Sequence, residues 1–458
     1  MTLRPSSFSY TVGFCLSALL LGGPALAQNL PGVPAASPAI GLLSDSLTLG
    51  STVQAVLDAN PGVTNLTELA AAAASRLSQS QAGFLPLITG TATYTRLDPV
   101  SRIAFGGGPE LSFVPNNNFD AHLTAQYELY DFGKREASTN LARAQVQTAQ
   151  DNIVVARRDL AFTAAQTYYG ILFLRESILV QDQQIASLLA HRNEMQKRVA
   201  AGVSTRFDVT TTDVRITQAQ SAKLDLQNQL RNQQVQLARL LHRPQQADFP
   251  VKGRLNYDPQ PVNLEAELSR AAQNRPEVKL AKDAELAAEL QAKLIDRSNL
   301  PSLGVGAQAG GKNGYLIGED RNLNKIRFNT VGVAQLSVPI YDGGRNRKQR
   351  VEAAAGYRAA VARTQDAQEQ IRADVRQAVN NLDFSRARYD NAQQQIAQAS
   401  DALTRARGRY RYGVGQNLDV LDAETQLAQA RLARAQAMYN YTLGQYQLKR
   451  ATGEVIWQ

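Results

Sequence analysis

The chain has 458 residues, 44% of them hydrophobic, and carries 49 Lys and Arg against 40 Asp and Glu, a formal net charge of +9. That composition excludes a wholly disordered chain, and the length admits two or three ordinary domains or one extended architecture. One cysteine, Cys15, falls inside a removable leader, and the only histidines are His122, His191 and His242. Disulfide frameworks, zinc–cysteine sites, iron–sulfur clusters and thiol catalysis drop out, and a histidine-built metal centre is not expected.

Residues 1–27 read as a secretory signal. Arg4 gives a positive start, an apolar run covers Val12 to Leu21, and Ala25-Leu26-Ala27 offers a small-x-small cleavage site before Gln28. The run is short and broken by Gly22, Gly23 and Pro24, which disfavours a spanning helix. Val12-Gly13-Phe14 before Cys15 is a poor lipobox, so no lipid anchor is expected. Cleavage removes one charge, Arg4, from the +9 and leaves +8. So diffuse a surplus on an exported chain does not point to nucleic acid. Residues 28–46, with Pro31, Pro34 and Pro38, read as a loose tail. No later apolar run is long enough for a transmembrane helix.

The rest of the chain repeats itself. Tyr130-Asp131-Phe132-Gly133-Lys134 aligns with Tyr341-Asp342-Gly343-Gly344-Arg345 at an offset of 211, and Gly202…Asp208-Val209 aligns with Gly413…Asp419-Val420 at the same offset. Upstream, Pro61 and Pro86 match Pro276 and Pro301 at an offset of 215. The reading is a duplicated unit: repeat 1 over 47–243, a linker over 244–262, repeat 2 over 263–453 and a short tail over 454–458. Each copy opens with a helical stretch (52–81; 264–298). Two strands separated by a loop follow, then two very long helical stretches joined at a glycine. Proline is absent from 116–243 and from 340–458, and runs rich in Ala, Gln, Leu and Arg favour uninterrupted helix. A single helix over 134–201 would be roughly 100 Å long.

In the second copy Val375, Leu382, Tyr389, Ile396, Leu403 and Tyr410 recur every seven residues, with Ala392, Ala399 and Ala406 beside the seam. Ile171, Ile178 and Ile185 occupy matching positions in the first copy, until Arg192 breaks the series and Val199 resumes it. A seven-residue period winds helices around neighbours in a left-handed sense. That pattern suits a wall of helices and, taken alone, a plain coiled-coil rod as well.

The strands narrow the choice. From Phe119 to Asp131 the chain alternates, with Ala121, Leu123, Ala125, Tyr127 and Leu129 on one face and His122, Thr124, Gln126 and Glu128 on the other. Thr89, Thr91, Thr93 and Thr95 face away from Ile88, Ala92 and Tyr94; Gly332, Ala334, Leu336, Val338 and Ile340 oppose Val333, Gln335 and Ser337. Leu303, Val305, Ala307 and Ala309 share a face. Strands of about ten residues with this alternation fit a membrane barrel and equally a half-buried soluble sheet. Export, long Gly- and Asn-containing loops (98–118; 310–327) and tight strand-to-helix turns favour the barrel. Lipid permits no unpaired strand edge, and about eight strands is the smallest barrel. Four strands per chain therefore require several protomers to share one barrel.

These features resemble the TolC-like outer-membrane factor family over nearly the whole mature chain. The resemblance rests on the duplicated unit, on Tyr130-Asp131-Phe132-Gly133 and Tyr341-Asp342-Gly343-Gly344, and on Tyr410…Gly413…Leu418-Asp419-Val420-Leu421-Asp422-Ala423. It implies a mainly α fold with membrane β: a homotrimeric twelve-stranded β-barrel in outer-membrane lipid, continued by a long α-helical barrel across the periplasm. It implies no enzyme activity and no cofactor, and partners in a periplasmic adaptor protein and an inner-membrane transporter of a tripartite efflux or type I secretion system. Gly202-Val203-Ser204 and Gly413-Val414-Gly415 would form the adaptor-contacting hairpin tips. Asp419 and Asp422, at i and i+3, would face the pore at its periplasmic entrance and draw cations, although a carboxylate there also suits the start of a helix. Asp208, the counterpart of Asp419, would accept from Tyr410 or a nearby arginine as a latch. Family members place an arginine where Gly415 stands, so the latch here would be weaker or rebuilt around Arg409 or Arg411. Gly133, Gly343 and Gly344 would bend barrel strand into tunnel helix. No phosphate loop, metal-spaced histidine set or nucleophile elbow is present. The other function class consistent with the heptads is a secreted or surface coiled-coil adhesive protein without a channel, which leaves the strand pairs unexplained.

Overall fold

The computed structural model describes residues 47–103, 106–107, 111–244, 250–315 and 322–455. The expected signal peptide, the cleavage between Ala27 and Gln28, the tail over 28–46, part of the linker and positions 456–458 lie outside the described residues.

The helical stretches opening each half are each broken in two. Helix α1 (Leu49–Ala59) and α2 (Pro61–Ala82) meet at Asn60, and α5 (Leu264–Asn274) and α6 (Pro276–Arg297) meet at Arg275. Both joint residues are extended, with ψ of 118° and 121°. The following proline clashes with an α conformation at the residue before it, and is itself well suited to the first position of a helix. The helical stretches expected over 52–81 and 264–298 are thus each a pair of helices with one joint.

Strands β1 (Leu87–Arg96) and β4 (Asn117–Tyr130) flank a two-stranded excursion, β2 (Arg102–Ile103) and β3 (Leu111–Ser112); β5 (Ser302–Lys312) and β6 (Arg327–Ser337) follow α6. The sheet runs β1-β4-β5-β6, every neighbour antiparallel. Its register carries the alternation across all four strands. Ala92, Ala121, Gly311 and Phe328 form one row, and Ile88, Ala125, Ala307 and Gly332 another. The opposite face has Thr93, Asp120, Lys312 and Arg327 in register. The alternation is not strict to Asp131: a bulge between Glu128 and Tyr130 leaves Leu129 out of the ladder and pairs Tyr130 with Leu303. On the apolar face the Tyr94 and Phe119 rings pack at a tilt, 4.9 Å apart, at the loop end, and Tyr127 and Tyr130 lie at the helix end. Eight residues separate Phe119 from Tyr127, about 20 Å once strand tilt is allowed for, close to the height of a lipid-facing band between aromatic girdles.

Among the described residues no helix packs across either face of this sheet. Ile88, Leu123, Phe328 and Leu336 are exposed on the single chain, and among the described residues the outer edges of β1 and β6 are unpaired.

Each strand pair feeds a 67-residue helix, α3 (Lys134–Ala200) and α7 (Arg345–Arg411), which returns as α4 (Arg206–Leu240) and α8 (Asn417–Thr452). At a rise of about 1.5 Å per residue the long helices are roughly 100 Å. Val375, Leu382 and Leu403 of the heptad series are buried and Tyr389, Ile396 and Tyr410 half-buried. Arg192, which interrupts the first series, lies 2.5 Å from Asp213 of α4. Alanines let the helices approach closely. Ala161, Ala164 and Ala165 are fully buried beside Val56, Ile171 and Leu237, each of the larger side chains contributing about 1.5–3 kcal/mol.

The linker is tied down where it is described. Tyr168 donates to Lys252 O, and Thr442 to Asn256 O at 3.2 Å; Tyr257 stacks on Tyr389 of α7 at 3.7 Å. Nearer the sheet, Arg158 of α3 is buried and bonds both carboxylate oxygens of Glu277; Arg275 bonds Glu277 and Asp374, and Arg450 bonds Asp159. This network ties α3, α6, α7 and α8 at one level. Burial raises the Glu277 carboxyl most, but Arg158 and Arg275 together bring it below its ordinary value.

Candidate functional site

The strand-to-helix junctions are built on aspartates as well as glycines. Gly133 has φ 79° and Gly344 φ 81°; the residues before them, Phe132 and Gly343, are also left-handed, at 52° and 70°. Two successive positive φ values turn the strand into the helix axis. Asp131 then accepts from Gly133 N at 3.1 Å, from Arg135 N at 2.9 Å and from Arg135 Nε at 2.9 Å. Asp342 accepts from Gly344 N at 2.9 Å and Asn346 N at 2.7 Å. Both carboxylates thus satisfy orphan amides at a helix start. Burial raises the Asp131 carboxyl, but the bonds from Arg135 and Gly133 outweigh it and hold it below the ordinary range. Asp342 is lowered as well, chiefly by the Asn346 amide. A Cβ on Gly133 would meet Arg297 Nη1 at 2.5 Å, and that guanidinium donates to Gly133 O at 2.9 Å. The sequence reading named the glycines and missed the aspartates, although Tyr-Asp repeats with them.

At the far end, both hairpins turn in the same way. Gly202 (φ 72°) donates to Val199 O and Val203 to Arg198 O; Gly413 (φ 75°) donates to Tyr410 O and Val414 to Arg409 O. This is the paired carbonyl closure of a helix end in which glycine takes the left-handed position. Gly415 is needed for another reason: a Cβ there would sit 3.0–3.2 Å from Arg409 and the Tyr410 backbone, so a larger residue requires the turn to shift.

Asp208 and Asp419 play the same local part. Asp208 Oδ2 accepts from Thr205 N at 3.1 Å, Thr205 Oγ1 at 2.9 Å and Ser204 Oγ at 2.8 Å, and Asp419 Oδ2 accepts from Gln416 N at 3.2 Å. Each completes a capping box at the start of α4 or α8. Burial raises the Asp208 carboxyl, yet the Thr205 and Ser204 bonds and the nearby His191 bring it below its ordinary value. Asp422 pairs with Arg215 of α4 at 3.0 Å.

Tyr410 does not reach Asp208 directly. Its hydroxyl lies 3.2 Å from Ser204 Oγ, which donates on to Asp208, and 2.9 Å from Met195 Sδ. Within one chain neither Arg409 nor Arg411 pairs with Asp208; beside Tyr410 the cation that crosses between hairpins is Arg198, donating to Arg411 O at 3.2 Å with its guanidinium 5.1 Å from the Tyr410 ring, and Arg215 crosses further along to Asp422. Beside it, buried His191 meets Asn417 Oδ1 at 2.7 Å, and Asn417 Nδ2 donates to Asp208 O at 3.1 Å. One level up, Glu424, also buried, accepts from Ser187 at 2.7 Å and from Arg407. The hairpin ends of one protomer are thus laced together by Arg198, Ser204, His191 and Asn417, of which only Ser204 was singled out by sequence. The tips also expose Phe207, Tyr412 and Leu418 beside Val203 and Val414. Phe207 and Leu418 stand at the repeat offset of 211, a signal that was available.

A four-stranded sheet that no described helix covers, continued by helices of this length, is the fold of an outer-membrane channel chain. The chain belongs to the outer membrane efflux protein family, whose sequence profile matches residues 52–242 and 268–454. It is 23% identical to the outer membrane protein TolC of Escherichia coli over 427 residues, covering 90% of this chain and 83% of TolC. To the alkaline protease secretion protein AprF of Pseudomonas aeruginosa it is 25% identical over 345 residues, 72% of this chain and 69% of AprF. Its fold matches the outer membrane protein VceC of Vibrio cholerae with a TM-score of 0.76 at 21% identity, over 89% of this chain and 96% of VceC.

Proposed function

We propose that three copies of this chain close a twelve-stranded barrel and stack their helices into a periplasmic tunnel, forming a passive outer-membrane exit duct. The observation that carries the reading is the uncovered sheet with two free edges. Because β1 and β6 run in opposite directions, the β6 of one copy can pair antiparallel with the β1 of the next, and the alternation continues unbroken around a ring. An edge left open in lipid would strand its amides and carbonyls at several kcal/mol each. The recurring order of helix, helix, strand, strand, long helix and returning helix supports an internal duplication with copies over 47–243 and 263–453. A coiled-coil adhesin would have no use for such a sheet.

Cargo and energy come from partners: an inner-membrane transporter and a periplasmic adaptor that meets the Gly202 and Gly413 tips. Among the relatives, AprF is named for protease secretion and OpmQ of Pseudomonas aeruginosa for pyoverdine export, so the duct belongs to one-step secretion or to tripartite efflux. Asp419 and Asp422 line the entrance in this reading, with Asp422 tempered by Arg215. Purified protein should run as a trimer in native mass spectrometry and open stepwise conductances in planar bilayers. Strictly monomeric material, or bilayers that pass no current, would contradict it.

A further inference from the structure

The charge at the hairpin tips is unevenly spent. Between 192–215 and 407–422 there are eight Arg and Lys and five Asp and Glu. All five carboxylates are engaged within the chain. Asp208 and Asp419 cap helices, Asp213 pairs with Arg192, Asp422 with Arg215, and Glu194 lies 3.4 Å from Arg198. Four of the cations, Lys197, Arg206, Arg409 and Arg411, are exposed, and among the described residues no carboxylate lies within ion-pair distance of them. They flank Val203, Phe207, Tyr412, Val414 and Leu418, which are between 52% and 83% exposed. The charge left over for a partner is wholly positive, and it surrounds apolar side chains that two tight turns hold out into solvent.

Resting on the proposed docking role of these tips, we infer that the partner they fit is a protein whose docking end is apolar at its centre and acidic around it. Apolar side chains gain from contact with apolar ones, and the four solvated cations favour a facing surface that carries carboxylates over one that carries cations. Complementary charge around an apolar centre steers encounter and fixes orientation, and its effect weakens with salt. A protein is favoured over an anionic membrane because the apolar side chains are few and split between two turns. Membrane-surface segments instead present a continuous apolar face along one helix.

The test uses the full-length protein in detergent, immobilised for biolayer interferometry. The probes are two disulfide-closed helical-hairpin peptides with the same apolar tip, one flanked by four Glu and the other by four Lys. The Glu hairpin should bind at least tenfold tighter at 50 mM salt, an advantage that shrinks severalfold by 500 mM, as expected of exposed charges. Reversing Lys197, Arg206, Arg409 and Arg411 to Glu together, with helix content verified by circular dichroism, should transfer the preference to the Lys hairpin. Equal binding of the two hairpins, binding of neither, or tighter binding to phosphatidylglycerol vesicles than to the Glu hairpin would overturn the inference. Those results leave the duct standing if the same preparation still conducts in bilayers. A preparation that forms no channels refutes the duct itself.

Discussion

Replacing Ser204 with alanine should loosen the two hairpins of each protomer from one another. The Ser204 hydroxyl donates to Asp208 Oδ2 at 2.8 Å and lies 3.2 Å from Tyr410 Oη. The Ser204 proton goes to Asp208, so Tyr410 is the donor between the two hydroxyls, and its one proton is shared with Met195 Sδ, a weak acceptor at 2.9 Å. Of the two Ser204 bonds only the one to Tyr410 crosses between the hairpins; the one to Asp208 lies within a single hairpin, and Asp208 keeps its Thr205 bonds. The loss across the seam in Ser204→Ala is therefore about 1 kcal/mol per protomer. If three protomers open together the loss is about 3 kcal/mol, roughly two powers of ten in the balance between laced and loosened tips. Tyr410→Phe removes the same neutral bond, about 1 kcal/mol per protomer. Single-channel recording at neutral pH should show both variants occupying larger conductance levels more often, and to a similar degree. Because the Asp208 carboxyl is held below its ordinary value, the bridge is complete at neutral pH and is lost as pH falls through that depressed value. Conductance in both variants that matches the unaltered protein would refute the bridge as a tie between hairpins.

Four further outcomes are expected. Arg158→Ala leaves half-buried Glu277 beside one remaining arginine and should cost about 2–3 kcal/mol, below the full cost for a buried pair because Glu277 keeps some solvent, read as a fall in denaturant midpoint; a change under about 1 kcal/mol would show the network to be dispensable. The Asp283 carboxyl is pushed up to about 6 by burial and by Asp151, against the pull of Lys279. The folded chain therefore binds this proton more tightly than the unfolded one, and stability falls as pH rises from about 4 to 6. The fall is about 1 kcal/mol after solvent screening and should vanish in Asp283→Asn; a melting temperature equally pH-dependent in both proteins would exclude that residue as the cause. Neutralising Asp419 and Asp422 together should raise conductance and weaken block by multivalent cations, whereas Arg215→Ala, by freeing Asp422, should strengthen block. Gly133→Ala meets both a left-handed backbone and Arg297, and should lower trimer yield from membranes by several-fold, where Gly50→Ala, which meets nothing within 4 Å, should not.

Periodicity and punctuation by themselves determined the elements. A seven-residue repeat, proline-free runs and glycine at both hairpin turns are local properties, which is why α3 over Lys134–Ala200 falls within a residue of the helix read from sequence. Two-residue alternation likewise assigned the sheet faces, but it fails at Leu129, where a bulge adds a residue that no composition rule signals, and at Val338 and Ile340, which lie beyond the end of β6 at Ser337. The proline breaks at Asn60 and Arg275 were also legible, since both prolines were noted as repeat markers, but their effect on the preceding residue went unused. What tertiary structure alone decided is which side chains meet and which surfaces stay bare. Alternation is the same for a soluble sheet and for a barrel wall; only the lack of any helix across the described sheet separates them. Ser204 meets Tyr410 across 206 positions, His191 meets Asn417 across 226, and Arg158 meets Glu277 across 119. Contacts at such separations depend on how two long hairpins align, and a one-turn slide of about 5.4 Å would change every partner while leaving each helical pattern intact.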